Sequence, residues 1–169
     1  VIYKRLARAK EKLKTEKIKI ELPASAEIEK RSETVLTTLY LLFSEGYYST
    51  SQNTILRKDL CLEAMRLNLM LLDYEQTNTP SANALLSLMC FNTSRFEART
   101  HPNGEIILYE DQDQSLWNVE LIQKGEDYLN KASPGNRLTK YHLEAAIAYW
   151  HTQKNDTTEK WENILQLYN

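Results

Sequence analysis

The chain has 169 residues, enough for one domain that buries a core without metal or disulfides, together with an attached helix. No apolar run approaches the roughly 20 residues needed to span a membrane, and the first residues are too charged for a signal peptide. Four Gly and four Pro are few for this length, which favours helices. Cys61 and Cys90 lie in apolar runs without CxxC or zinc-ligand spacing, and they predict buried, reduced thiols in a cytoplasmic protein.

The net charge of −2 conceals two segments of opposite charge. Residues 1–20 hold eight Lys or Arg against two Glu, a net charge of +6. Residues 21–169 hold 13 basic and 21 acidic side chains, a net charge of −8. Such a split indicates a polyanion as partner.

The cationic segment has the pattern of an amphipathic helix. Its apolar stripe consists of Ile2, Leu6, Ala9 and Leu13, and a stripe of this kind packs on the domain to which the helix belongs while the Lys and Arg side chains face a polyanion. We therefore expect a helix over residues 1–20, a linker over 21–26 that contains Pro23, and a helical domain over 27–169. Because the helical pattern is already under way at Val1, we also expect the chain to be part of a longer protein.

Six helices are predicted beyond the linker. They are expected over residues 26–44, 54–74, 79–101, 115–132, 139–153 and from 156 onward. Thr79 with Pro80 predicts a capped start, Gly46 a helix end, and Gly125 a close approach of another helix. Asp156 with Glu159 resembles a capping box. The predicted fold is all-α, an antiparallel bundle or tetratricopeptide-like helix pairs of about seven helices, with a short extended segment near 105–109.

The acidic run YEDQDQSLW contains the residues that most resemble an enzyme site: Glu110, Asp111, Gln112, Asp113 and Trp117. Its carboxylates have the oxygen ligands that a hard cation prefers, but the run lacks the glycine and the terminal glutamate of an EF-hand loop. Capping of the following helix, or a polar network within the domain, is the favoured interpretation. No nucleophile elbow or glycine-rich phosphate loop is present, so the sequence predicts neither catalysis nor a cofactor.

A second group of charged residues lies on or beside the second and third helices: Glu45, Asp59, Glu63 and Arg66. These residues predict salt bridges, and the alternative is that they line a pocket. Gly46 and Tyr47 belong to the neighbouring Glu-Gly-Tyr-Tyr stretch. That stretch predicts a helix end with packed aromatic side chains, and an exposed interaction site is the alternative.

The segment from Arg5 to Leu13, RLARAKEKL, resembles the R-L-x-R-A-R/K-x-R/K-I/L ending of the promoter-recognition region in sigma-70 family factors of the extracytoplasmic-function class. Further stretches resemble, in order, the C-terminal extension of one large group of these factors. They are LYLLFSEGYYST, RKDLCLEAMRLNLMLL, ALLSLMCFNTSRFEAR, GEIILYEDQDQSLWNVELIQKG, YHLEAAIAYWH and WENILQLYN. The resemblance covers nearly the whole chain.

The resemblance implies a non-catalytic role in transcription initiation. A sigma factor directs core RNA polymerase to promoters, and its fourth domain recognises the −35 element through a helix-turn-helix unit. By similarity, the candidates for DNA contact are Tyr3, Lys4, Arg5 and Arg8. The helical extension would regulate the factor by masking the recognition helix, or by docking onto another domain of the same factor or onto the polymerase.

Two other functions stay open at the level of sequence. One is a free-standing helical-repeat adaptor that binds a peptide, with the basic helix as a cap. The other is a small enzyme that uses the carboxylates of Glu110 to Asp113. A calorimetric titration that shows no binding of Mg²⁺ or Ca²⁺ would count against the enzyme hypothesis.

Overall fold

The structure is a computed structural model that describes residues 2–17, 23–48, 57–101 and 105–169. Within these ranges it contains eight α-helices and two 3₁₀ turns, the turns spanning Tyr109–Asp111 and Gln114–Leu116. The helices are α1 (Ile2–Thr15), α2 (Ser25–Tyr48), α3 (Lys58–Leu72), α4 (Pro80–Ser94), α5 (Phe96–Arg99), α6 (Val119–Ala132), α7 (Lys140–Thr152) and α8 (Thr158–Tyr168). The all-α prediction is confirmed. The predicted extended segment contributes an isolated antiparallel bridge between Thr100 and Ile106.

Helix α4 is the centre of the fold. Every residue of α4 from 82 to 94 is buried, which its sequence explains because small and apolar side chains occur on all sides of the helix. Helices α3, α6 and α7 pack around it, and α2 packs mainly on α3. The start of α4 is as predicted, since the Thr79 hydroxyl accepts a hydrogen bond from the Ala82 amide and Pro80 is the first helical residue.

The predicted close approach at Gly125 is confirmed. A Cβ atom at this position would lie 2.6 Å from the nearest ring atom of Phe91, which is fully buried in α4. The Ser87 hydroxyl also donates to the Gly125 carbonyl oxygen over 2.7 Å. Glycine therefore lets α6 pack directly on the central helix.

The predicted helix end at Gly46 is wrong. Helix α2 continues through Gly46 to Tyr48, and a Cβ atom on Gly46 would lie 2.7 Å from the Cys61 sulfur and 2.8 Å from the Arg57 carbonyl oxygen. This glycine serves packing between α2 and α3 and does not end a helix. The predicted start of the next helix falls within residues 49–56, outside the described residues.

Two other helix boundaries differ from the prediction. The fourth predicted helix is interrupted at Arg95, after which α5 forms one further turn. Helix α6 begins at Val119 instead of Ser115, because Asn118 caps it and a 3₁₀ turn precedes it.

The cap of α8 also differs from the prediction. The Thr157 hydroxyl accepts the hydrogen bond from the Lys160 amide. The predicted cap, Asp156, instead accepts a hydrogen bond from the Trp161 indole. Two polar residues stand side by side before this helix: Thr157 caps it, and Asp156 pairs with the Trp161 indole.

Cys61 and Cys90 are free and buried, as predicted. Burial raises the pKa of each thiol to about 12. None of the helices that the structure describes is long and apolar enough to cross a membrane.

Candidate functional site

The first candidate surface is the cationic face of α1. Lys4, Arg8 and Lys12 follow one another at intervals of four residues, so they share one side of the helix, and all three are exposed. Tyr3 and Arg5 belong to the same helix, but their side chains lie outside the described part of the chain. The helix therefore presents a row of positive charge to solvent.

The apolar residues Ala9 and Leu13 of α1, whose side chains the structure describes, do not pack on helices α2 to α8. Ala9 is exposed, and Leu13 keeps 49% of its surface accessible. The described core is built from residues of α2 to α7 and contains none from α1. Ala9 and Leu13 therefore face solvent where a partner helix would normally lie.

The charged residues of α3 form ion pairs on the surface. The Arg66 guanidinium donates two hydrogen bonds to the Glu63 carboxylate, over 2.7 and 2.8 Å, and Arg57 donates to Asp59 over 2.8 Å. These partners lower the pKa of both carboxyl groups. Glu45 lies on the exposed side of α2.

The acidic run has structural contacts in the fold. The Asp113 carboxylate accepts a hydrogen bond from the Ser115 amide and caps the 3₁₀ turn, whereas Glu110 and Asp111 are exposed. Trp117 is buried, with its ring centroid 6.3 Å from that of Tyr109. Across the described ranges, no three or more His, Cys, Asp or Glu side chains are grouped so that they could hold a metal ion.

The second candidate surface is a cleft of about 560 Å³ between the C-terminal half of α2, the end of α4 with α5, the segment 106–112, and α7. Six aromatic side chains line it: Tyr40, Phe43, Tyr47, Tyr48, Tyr109 and Tyr168. Its polar lining includes Arg95, Arg99, Gln112, Glu144 and His151. We call it the α2–α7 cleft.

Two arginines of the α2–α7 cleft are arranged around Tyr47. The guanidinium carbon of Arg99 lies 3.9 Å from the centroid of the Tyr47 ring, within the range of a cation–π contact. Arg95, which is only 8% exposed, directs Nη2 toward the Tyr47 hydroxyl at 3.5 Å. Arg95 also lies over the ring of Tyr109, 5.4 Å from its centroid.

A buried lysine lies on another side of Tyr109. Lys160 is 2% exposed, and its ammonium group donates to the Tyr109 hydroxyl over 2.8 Å and to the Gln153 carbonyl oxygen over 3.0 Å. The Tyr109 hydroxyl in turn donates to the His151 carbonyl oxygen over 3.0 Å. Burial, with further contributions from Arg95 and Lys160, lowers the pKa of His151 to about 4, so its ring is neutral near pH 7.

Three buried polar atoms of residues that line the cleft have no hydrogen-bond partner among the residues that the structure describes: Nε of Arg95, Oε1 of Gln112 and Nδ1 of His151. Buried polar atoms are normally paired, so such atoms gathered around one cavity require an explanation. A ligand in the cavity would provide one.

The structure brings together only part of the residues selected from the sequence. Tyr47 and Gln112 both line the α2–α7 cleft, while Asp59, Glu63, Arg66 and Asp113 do not. Arg95, Arg99 and Lys160 were not among the residues predicted from the sequence. A weak signal exists for the arginines, since they lie four residues apart directly after the most apolar helix of the chain.

Comparison with known proteins gives relatives without a described activity. The chain is 34% identical over 166 residues to an uncharacterized protein of Rhizobium meliloti (strain 1021). The match covers 97% of this chain and 39% of that relative, so the chain spans well under half of the relative's length. No solved structure matches the chain. A family model matches residues 31–133, which is more than half of the sequence, and the chain therefore belongs to the family of unknown function DUF6596.

Proposed function

We propose that the chain is the regulatory C-terminal extension of a sigma factor of the extracytoplasmic-function class, joined to the end of its promoter-recognition helix. The observation that carries this proposal is that described residues of both the cationic face and the apolar face of α1 are exposed. Its cations Lys4 and Arg8 face solvent, and so do its apolar residues Ala9 and Leu13. The resemblance of RLARAKEKL to the recognition helix of these factors agrees with that exposure.

The cationic face has the spacing for contact with a nucleic-acid backbone. Side chains four residues apart on a helix lie about 6 Å apart along its axis, so Lys4 and Arg8 can reach phosphates across one groove. Arginine can also read a guanine edge with two hydrogen bonds, whereas lysine serves mainly as a phosphate contact. In this proposal Arg5 and Arg8 read the −35 element, and Lys4 with Tyr3 positions the helix.

The exposure of Ala9 and Leu13 supports the presence of partner helices in the whole protein. A helix of 14 residues is marginal in water without tertiary packing. In a helix-turn-helix unit, the preceding helices would cover Ala9 and Leu13. The much greater length of the Rhizobium meliloti relative is compatible with an additional domain.

The body formed by α2 to α8 acts as the regulator in this proposal. The exposed state of α1 favours docking of the body onto another sigma domain, or onto core RNA polymerase, over masking of α1. The acidic excess of residues 21–169 suits a basic docking surface.

The test uses the full-length protein with core RNA polymerase in a reconstituted transcription assay. Removal of residues 21–169 should change promoter-dependent transcription, and a variant with Lys154→Ala on the exposed loop before α8 should not. Unchanged transcription after removal of the body would contradict the regulatory role.

A preceding measurement decides whether a sigma factor is present at all. The intact mass of the native protein, with peptide sequencing upstream of Val1, should reveal a further domain of about 100 residues or more. That domain should end in a helix and a turn before VIYKRL. A native protein without it would contradict the proposal and favour the adaptor hypothesis.

A further inference from the structure

We infer that the α2–α7 cleft binds a small organic monoanion, an aromatic carboxylate, with Arg95 and Arg99 as its anion-binding residues. This inference does not depend on the role of α1 or on the proposed function in transcription. It stands on charge, on unpaired polar atoms and on the shape of the cavity.

The charges around the cleft are unbalanced. Arg95 and Lys160 are both more than nine-tenths buried, and neither forms an ion pair with a carboxylate among the residues that the structure describes. Among the described residues that line the cleft, Glu144 carries the one negative charge, whereas Arg95 and Arg99 carry two positive charges. Burying a cation without a counter-ion is costly, so a bound monoanion would neutralise the excess charge of the lining.

Polar atoms just beneath the surface of the cleft lack a partner within the described ranges, so an anion that enters the cleft would gain their hydrogen bonds. Arg95 Nε–H is a buried donor that has no acceptor in those ranges. The neutral His151 ring can donate from its unpaired Nδ1 when that nitrogen carries the proton. Gln112 donates from Nε2 to the Ile107 carbonyl oxygen over 3.3 Å, which leaves Oε1 to accept a hydrogen bond from a hydroxyl group on the ligand.

The walls of the cleft favour a planar, aromatic body on the anion. Tyr40, Phe43 and Tyr47 of α2 line the cleft, and so does Tyr109 of the segment 106–112. The volume of about 560 Å³ lies within the usual range for small-molecule sites, about 300–1,000 Å³. The Tyr40 hydroxyl donates to Glu144 over 3.1 Å, so this carboxylate is already paired.

The test compares two probes of nearly equal shape, para-hydroxybenzoate and its uncharged counterpart para-hydroxybenzamide. Binding to the whole chain is followed by the thermal unfolding midpoint and by the nitrogen-15 NMR signals of the arginine Nε–H groups. We expect the acid to raise the midpoint, to shift the Arg95 Nε–H signal and to bind at least about tenfold more tightly than the amide. Acetate, which lacks the ring, should bind more weakly than the aromatic acid.

Variants assign the effect to the cleft. Arg95→Gln and Arg99→Gln should each reduce the preference for the acid over the amide by about tenfold, because each removes one charged hydrogen-bond donor. Arg99 is only partly buried, so its variant tests the site even if Arg95→Gln does not fold. The matched control is Arg137→Gln, on the exposed segment before α7, which should leave both affinities unchanged. Equal binding of acid and amide, no binding of either, or retention of the preference in Arg99→Gln would overturn the inference.

Discussion

The guanidinium carbon of Arg99 lies 3.9 Å from the centroid of the Tyr47 ring, and the ring itself is 1% exposed. Tyr47 comes from the end of α2, and Arg99 is the last residue of α5. A single buried ring thus fixes a charged side chain from a distant part of the sequence at the edge of the α2–α7 cleft. The hydroxyl of the same tyrosine lies 3.5 Å from Nη2 of Arg95.

The contact between Tyr47 and Arg99 should be measurable as a coupling energy. Tyr47→Leu and Arg99→Gln, made singly and together, should show a coupling of about 0.5–2 kcal/mol in urea unfolding. Each single variant already removes the cation–π contact, so the double variant cannot lose it a second time. A control cycle that combines Tyr47→Leu with Arg137→Gln, at a distant exposed position, should show additive effects on the free energy of unfolding. Additivity for the Arg99 pair as well would contradict the contact.

Gly125→Ala should destabilise the protein although alanine is the better helix former. The new Cβ atom would lie within 2.9 Å of three ring atoms of Phe91, in the centre of the fold. We expect the free energy of unfolding to fall by about 1–3 kcal/mol, as for other overpacked cores. Chemical denaturation measures this change.

Two further variants test the cause of that loss. Gln123→Ala, on the exposed side of the same helix, should be nearly neutral. Combining Gly125→Ala with Phe91→Leu should cost less than the sum of the two single changes, because the smaller side chain makes room for the methyl group. A double variant at or above that sum would mean that Phe91 is not the obstacle.

Tyr109→Phe should destabilise the fold by leaving a buried charge with fewer partners. Lys160 would keep only the Gln153 carbonyl oxygen, and the His151 carbonyl oxygen would lose its donor. Hydrogen bonds to charged groups are worth about 1.5–3 kcal/mol, and a loss of this size should appear as a lower urea midpoint. Tyr74→Phe, at an exposed tyrosine, is the matched control and should have little effect. Equal midpoints for the two variants would contradict the assigned network.

His151 should make the protein less stable in mild acid. Its pKa is about 4 in the folded protein against an ordinary value of 6.5. As the pH falls from 6.5 toward 4, the unfolded chain binds a proton that the folded chain does not, so the free energy of unfolding decreases. His151→Gln should show a smaller decrease over the same interval. An NMR titration that places the folded His151 at its ordinary pKa would refute this prediction.

Arg8→Ala should weaken promoter binding by the full-length protein if α1 is a recognition helix. Loss of one phosphate or base contact should reduce the affinity. If the lost contact is to a phosphate, the slope of log affinity against log salt concentration should also become shallower by about one. Fluorescence anisotropy with a promoter duplex at several salt concentrations measures both quantities. Lys154→Ala controls for a general loss of positive charge. Equal binding by the two variants would count against a DNA contact at Arg8.

Local signals in the sequence were sufficient for several elements of the fold. The start of α4 could be predicted because the Thr79 cap and Pro80 act within one turn of the helix. The role of Gly46 could not be predicted, because it depends on how closely α3 approaches α2 at Cys61. The cap of α8 likewise depends on where the Trp161 indole lies.

The sequence by itself determined that the chain is helical and that its first helix is cationic. These properties follow from composition and periodicity, which act along the chain. Only the tertiary structure decided that Ala9 and Leu13 of α1 are exposed, and that Arg95, Tyr109 and Lys160 meet beside one cavity. Lys160 is 51 residues from Tyr109 in the sequence. The burial of charge depends on which helices pack together, and no local pattern contains that information.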